Sequence, residues 1–297
     1  MQTTIQPEVF PFFEENSNTF SYIVKDPNSN DCAIVDSVLD FDYASGAIGY
    51  ESADEIIQCV QKRNLNVLYL IETHVHADHL SAAPYIQSIV GGKIAISKHI
   101  DTVQKTFGKV FNEGTEFKRD GTQFDVLFDD GETYQIGSVE GVAIHTPGHT
   151  PACMVHLIGD ACFVGDTIFM PDGGTARADF PGGDARTLYQ SIKKILSMPE
   201  ETRLFMCHDY QPNGRELEYQ TTVAQQKASN IHVHDGISEN DFVAMREARD
   251  ATLGMPKLIY PSLQTNMRAG HFPEADTNET VYLKVPISGL KQPLTTH

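Results

Sequence analysis

His74-Val75-His76-Ala77-Asp78-His79 gathers three imidazoles and a carboxylate in one short stretch, directly after the apolar run Val67-Leu68-Tyr69-Leu70-Ile71. Buried polar groups need partners, so such a crowd is poorly explained as core packing. It suits a metal cradle. His74, His76 and Asp78 alternate, and in an extended segment alternate side chains point the same way. His79 is expected to open the helix that follows. The spacing is not the i, i+4 histidine pair of HExxH, a motif the chain lacks, which excludes a zincin-type site.

Metal-type residues recur at other strand ends. Thr146-Pro147-Gly148-His149-Thr150 follows a strand, and its Pro and Gly make a sharp turn that projects His149. Phe163-Val164-Gly165-Asp166 sets a carboxylate after another strand, and Leu204-Phe205-Met206-Cys207-His208-Asp209 does the same with a histidine. Loops at strand ends are where open α/β folds place their chemistry.

The elements that must position these residues alternate along the chain. Strands are expected at Thr19–Lys25, Cys32–Val38, Val67–Ile71 and Lys93–Ser97, with helices at Ala53–Arg63 (Ser52 as N-cap) and Ser81–Val90. The stretch Gln123 to Gly165 is strand-rich: Phe124–Phe128, Thr133–Ile136, Val142–Thr146, Cys153–Ile158 and Ala161–Gly165. Helix returns at Asp184–Met198, followed by a short strand Leu204–Cys207. Beyond Asn213 the chain reads as more helical and polar, at Gly214–Asn230 and Ser238–Ala251, before a Pro-punctuated tail. The pattern implies an α/β protein with one mixed core (1–230) and a C-terminal helical extension and tail (231–297) packed on the same domain.

Composition narrows the function classes. The 297 residues are 40% hydrophobic and 21% charged, ordinary for a globular chain with a sizeable core. A net charge of −18 argues against nucleic-acid binding, and means that a small anionic substrate must be met by local basic groups. No apolar stretch approaches the roughly 18 residues of a membrane span, and MQTTIQPEVF lacks the features of a secretory signal. Cys32, Cys59, Cys153, Cys162 and Cys207 form no CxxC, so reduced thiols and a cytoplasmic location are expected.

In this order, HVHADH, TPGHT, FVGDT and MCHDY resemble the metallo-β-lactamase fold superfamily. The resemblance implies an αββα sandwich with its metal site at one edge of two sheets. It matches His74, His76 and His149 to a first metal site, Asp78, His79 and His208 to a second, and Asp166 to the bridging carboxylate. Three further features resemble the bacterial type of persulfide dioxygenase, also called sulfur dioxygenase, within that superfamily. They are Ala77, where glyoxalase II thioesterases commonly carry Trp, the stretch Phe169 to Gly183, and the tail Asn266-Met267-Arg268-Ala269-Gly270-His271-Phe272-Pro273.

That family implies one Fe(II) per chain, no organic cofactor, and ligation by two histidines and a carboxylate, matched here by His74, His149 and Asp166. His76, Asp78, His79 and His208 would then support the ligands or form a second metal site. Glutathione persulfide and O2 are the implied reactants, and a homo-oligomer (dimer or tetramer) the implied assembly. Tyr210 is expected to place a phenol near the iron. Arg177, on the loop after Asp166, is the first choice for a substrate carboxylate, ahead of Arg215, Arg246 and Arg268.

Two other readings stay open: a glyoxalase II-like thioesterase with two metals, and a non-catalytic metal or persulfide sensor. His99, His145, His156, His232, His234, His271 and His297 lack the ordered spacing and read as surface or satisfied core residues.

Overall fold

The computed structural model describes residues 5–287 and 289. Strands β1 (Glu8–Glu14), β2 (Thr19–Lys25), β3 (Asp31–Val35), β4 (Val38–Asp42) and β5 (Ala47–Gly49) precede helix α1 (Glu51–Lys62). Then come β6 (Asn66–Ile71), β7 (Leu80–Ser81), α2 (Ala83–Val90), β8 (Lys93–Ser97), α3 (Ile100–Val110) and β9 (Val126–Phe128). The second half holds β10 (Thr133–Ile136), β11 (Val139–His145), β12 (Met154–Ile158), β13 (Ala161–Phe163), α4 (Ala185–Leu196), β14 (Arg203–Phe205), β15 (Gln220–Thr222), α5 (Val223–Ser229), α6 (Glu239–Asp250) and α7 (Ile259–Asn266).

These elements make the αββα sandwich. One six-stranded sheet runs β1-β2-β3-β6-β8-β9 and the other β10-β11-β12-β13-β14-β15, with a small β5-β4-β7 sheet beside them. Tyr22, Val35, Ile71 and Phe128 from the first sheet meet Tyr134, Met154, Phe163 and Phe205 from the second in the central layer. The apolar faces of α1, α2, α3 and α7 cover the outside of the first sheet through Ile56, Ile86, Val103 and Leu263. Leu188, Ile192, Val223 and Phe242, from α4, α5 and α6, cover the outside of the second. Each helix buries one stripe and each sheet both faces, the arrangement in which a strand reads as a continuous apolar run.

Local chemistry explains where the structure departs from the sequence reading. The strand expected over Cys32–Val38 breaks at Asp36, whose positive φ of 51° turns the chain and separates β3 from β4. Ser52 does not cap α1. Tyr50 holds that position without a side-chain bond, while the Ser52 amide and hydroxyl donate to the Asp40 carboxylate at 2.9 and 2.7 Å. His79 precedes strand β7, and the helix starts only at Ala83.

Most of the helix expected at Gly214–Asn230 is absent. The Asp209 carboxylate takes the Arg215 guanidinium and the Glu218 amide, which holds that stretch out of helix until the capping box of Thr222 and Gln225 starts α5. Strand β1, unexpected because of Pro11, lies at a sheet edge, where Pro is tolerated. Helix α3 was also unexpected. His297 lies outside the described residues. The cysteines are all free.

The two sheets are joined at the turns by Asp26, which is 1% exposed. The Ser138 amide and hydroxyl donate to its carboxylate at 2.8 Å each, as do the Asn28 amide at 3.0 Å and the Ser29 hydroxyl at 2.8 Å. Burial works against the charge, but these donors outweigh it and hold the pKa down to about 2. The unfolded chain takes up this proton near pH 4, so the stabilisation is complete above that pH and is lost as pH falls towards 2. A shift of this size corresponds to roughly 2 kcal/mol. Asp26→Asn is expected to lower stability by about that amount at pH 7 and to flatten the acid limb between pH 4 and 2. Denaturant melts across pH check this, and an unchanged acid limb would refute it.

Candidate metal centre

The site forms where parallel strands end. Asp36 follows β3 and His74 follows β6, which pair in parallel; Asp166 follows β13 and His208 follows β14, which also pair in parallel. The turn between β11 and β12 brings His149. Backbone bonds tie the sheets together at this edge: the Phe20 amide donates to Cys207 O at 2.7 Å and the Met154 amide to Thr73 O at 2.9 Å.

Two glycines permit the close approach. Gly165 has φ 49°, and a Cβ there would lie 2.6 Å from Thr73 Oγ1. Gly148 has φ 138°, and its Cβ would lie 2.3 Å from the Leu188 backbone, so the turn before His149 can sit directly on α4.

One donor atom each from His74, His149 and Asp166 lies within 4.8 Å of the other two, and all three residues are buried. His74 Nε2 and His149 Nε2 stand 3.8 and 3.7 Å from Asp166 Oδ2. Their hydrogen bonds define the tautomers. His149 Nδ1 donates to the Arg177 carbonyl at 2.8 Å. The Thr73 hydroxyl donates to Asp36 Oδ2 at 2.9 Å, so it accepts from His74 Nδ1 at 3.1 Å. Both Nε2 lone pairs therefore face the carboxylate. Burial, aided by His76, lowers the His74 pKa well below the ordinary imidazole value against the pull of Asp166, which keeps the ring neutral. Neutral imidazole is the form that ligates.

These residues fit a metal. Among the described residues, His74 Nε2 and His79 Nε2 are buried without a hydrogen-bond partner, and Asp166 Oδ1, although 3.3 Å from His208 Nε2, accepts no hydrogen bond. Orphaned buried atoms of ligand type are costly unless something satisfies them.

The other motif residues surround this group. His76 Nε2 lies 3.0 Å from Asp36 Oδ1 and 3.5 Å from Glu72 Oε2. Burial alone would lower its pKa, but Asp36 outweighs burial and raises it well above the ordinary value. Asp78 Oδ2 sits between His79 Nδ1 at 3.1 Å and His208 Nε2 at 3.5 Å. His208 Nδ1 donates to Asn18 O at 3.2 Å.

An open cleft of about 1280 Å³ reaches Asp78, His79, His149, Asp166 and His208. Tyr210 stands on its rim, 56% exposed, with its ring stacked on His208 at 5.6 Å. The arginines divide. Arg177 and Arg246 line the cleft, but their guanidinium groups are engaged: Arg177 with Asp179 and the Gly254 carbonyl, Arg246 with Asp250 and Thr175 O. Arg215 pairs with Asp172 and Asp209, Arg268 with Glu113, and neither lines the cleft. The sequence reading passed over Arg249 and Lys257. Both are exposed on the cleft wall, and neither has an ion pair among the described residues.

Asp36 and Glu72 went unnoticed in the sequence, and Asn266 was picked out only as part of the tail, without a role. Asp36 and Glu72 hold His76. Asn266, at the end of α7, donates to the carbonyls of His76 and His79 at 3.0 and 2.8 Å and accepts from the Ser81 amide at 2.8 Å. His232 is a satisfied core histidine, its Nδ1 accepting from the Thr175 amide at 3.0 Å.

The metallo-beta-lactamase superfamily pattern matches residues 16–208, and the chain belongs to that superfamily. A probable metallo-hydrolase of Burkholderia pseudomallei is 54% identical over 94% of this chain and 98% of its own. Glyoxylase B2 of Dictyostelium discoideum is 45% identical over 98% of this chain and all (100%) of its own. The mitochondrial persulfide dioxygenase ETHE1 of Bos taurus is 28% identical over 87% of both chains. The crystal structure of ETHE1 from Myxococcus xanthus superposes with a TM-score of 0.70 at 26% identity, covering 89% of this chain and 100% of that one. The fold and the metal-type clusters thus define a metalloenzyme family.

Asn266→Ala would leave two buried carbonyls and an amide without partners, at a cost of about 1–3 kcal/mol each. With the motif turn released, metal affinity is expected to fall about 10–100-fold. Metal titration of the folded variant checks this, and wild-type affinity would refute it.

Proposed function

We propose that this protein is a cytoplasmic persulfide dioxygenase with one Fe(II) per chain held by His74, His149 and Asp166. The observation that carries the reading is the tight group of two imidazole nitrogens and one carboxylate oxygen, each ring's Nδ1 engaged elsewhere, at the foot of an open cleft. Two histidines and a carboxylate on one face leave the remaining positions to substrate and O2. The likeness to persulfide dioxygenases along most of the chain supports it.

The reaction is balanced as glutathione persulfide plus O2 and water giving glutathione, sulfite and two protons. The S–S bond breaks, the terminal sulfur is oxidised and O2 is reduced. Bound Fe(II) supplies the redox chemistry. The chain's own residues bind and orient. Arg249 and Lys257, the cleft cations without an ion pair among the described residues, receive the substrate carboxylates against a net charge of −18. Arg177 serves through its backbone, as the acceptor that orients His149. The Tyr210 hydroxyl, on the rim beside His208, orients the persulfide end of the substrate.

A second reading, a two-metal thioesterase, is favoured by other observations. His79 Nε2 and His76 Nδ1 are both buried without partners among the described residues, which suits a second ion at His79 and a third imidazole at the first site, and the Dictyostelium relative bears a glyoxylase name. A sensor would bind without turnover.

Anaerobically iron-loaded protein is expected to hold one iron per chain and to consume O2 with glutathione persulfide, and His149→Ala to abolish uptake. Two metals per chain with thioester hydrolysis and no O2 uptake would overturn the reading. Arg249→Ala combined with Lys257→Ala is expected to raise KM for the persulfide several-fold with kcat largely retained, the signature of lost uniform binding. A changed kcat at constant KM would remove these residues from substrate docking.

A further inference from the structure

Behind the His74–His79 segment lies a small cavity of about 20 Å³ that the proposed reaction leaves without a role. Val75, Ala77, Val103, Phe107, Pro151 and Phe180 form its walls. The position is specific. Val75 and Ala77 alternate with the metal-type residues of the motif, and Pro151 follows closely on His149. The Phe180 ring lies 5.4 Å from the His149 ring. Ala77 and Phe180 border both this cavity and the main cleft, so they form the partition between them.

Its chemistry selects the occupant. A volume of this order holds one small molecule, and a water would need two to four polar partners. The walls do not offer them. Thr150 also lines it, but its hydroxyl is engaged with Cys153 Sγ at 3.0 Å and the Ala152 amide at 3.3 Å. An apolar molecule of two or three atoms loses nothing by leaving water for such a space. The cleft outside is wide and polar enough for an anionic thiol, whereas this cavity excludes one by size.

We infer that the cavity is a holding site for dioxygen, from which the gas enters the cleft between Ala77 and Phe180. The inference rests on the dioxygenase reading. It assigns a function to the small side chain of Ala77: a bulky residue there would fill the space and close the partition. O2 and the persulfide would then reach the metal group from different sides, so neither blocks the other.

Xenon is the probe, being apolar and of suitable size. Crystals under xenon pressure are expected to show one atom in the cavity, and Val103→Ile, which adds a methyl group to its wall, to lose it. The same variant, iron-loaded, is expected to raise KM for O2 several-fold with unchanged iron content and unchanged KM for glutathione persulfide. Val103→Ala, which enlarges the cavity, is expected to keep both xenon and the wild-type KM for O2. A wild-type cavity without xenon, or an unchanged KM for O2 in a Val103→Ile enzyme that has lost its xenon site, would overturn the holding site alone. Absence of O2 uptake by the wild-type enzyme would instead overturn the dioxygenase reading and the oxygen assignment with it.

Discussion

A buried carboxylate that touches neither His149 nor Asp166 sets the geometry of the centre. Asp36, 3% exposed, accepts the Thr73 amide at 2.8 Å, the Thr73 hydroxyl at 2.9 Å and His76 Nε2 at 3.0 Å. Burial works to raise its pKa, but His76 and its other partners outweigh burial and hold it down to about 2. A charge in that position is tolerable only with its full set of donors. Because the Thr73 hydroxyl is spent on Asp36, its lone pair must accept from His74, and the His74 ring presents Nε2 to Asp166. One buried charge thus determines the tautomer of a residue two contacts away.

The C-terminal helices reach the same centre from two sides. On one, α7 delivers Asn266 to the carbonyls of His76 and His79. On the other, Arg246 and Asp250 of α6 bind Thr175 O and the Ala178 amide, pinning the loop whose Arg177 carbonyl orients His149. The adjoining segment adds Gln226 to Phe169 O and Asn230 to Gly174 O. A buried Arg–Asp pair is weak evidence for stability by itself. Here it has a geometric consequence, because the loop it fastens carries the acceptor for His149. The superfamily pattern ends at residue 208, yet the residues that hold the site in shape extend to 266.

How much of this was legible in the sequence followed from the range of each interaction. The metal-type residues are local signals, since HVHADH, His149, Asp166 and His208 each end a strand, and strand ends on parallel neighbours meet at one edge. The strands themselves were legible from apolar runs, with Lys93–Ser97 and Thr133–Ile136 matching residue for residue. Asp36 was hidden because it sits inside what reads as one strand; only its positive φ shows the break. The role of Asn266 was hidden because its partners lie 190 and 187 residues away. The arginines were misjudged for a related reason. Arg177 is near the site in sequence, but Asp179 and Gly254 O take its guanidinium, whereas Arg249 and Lys257 carry no such partner among the described residues and no motif marks them.

Superfamily membership leaves open whether such a site oxidises or hydrolyses, because the same side chains serve both. In this chain the proposed difference would turn on His76. Asp36 at 3.0 Å and Glu72 at 3.5 Å favour its protonated form, and an imidazolium has no lone pair to give a metal. With His76 withheld, two imidazoles and Asp166 would remain for the first site, the ligand set of the proposed dioxygenase. With His76 neutral, its unpartnered Nδ1 becomes a donor and a closed hydrolytic site becomes possible. The charge state of His76 therefore rests on the Asp36 and Glu72 carboxylates, positioned by the turn after β3 and the end of β6.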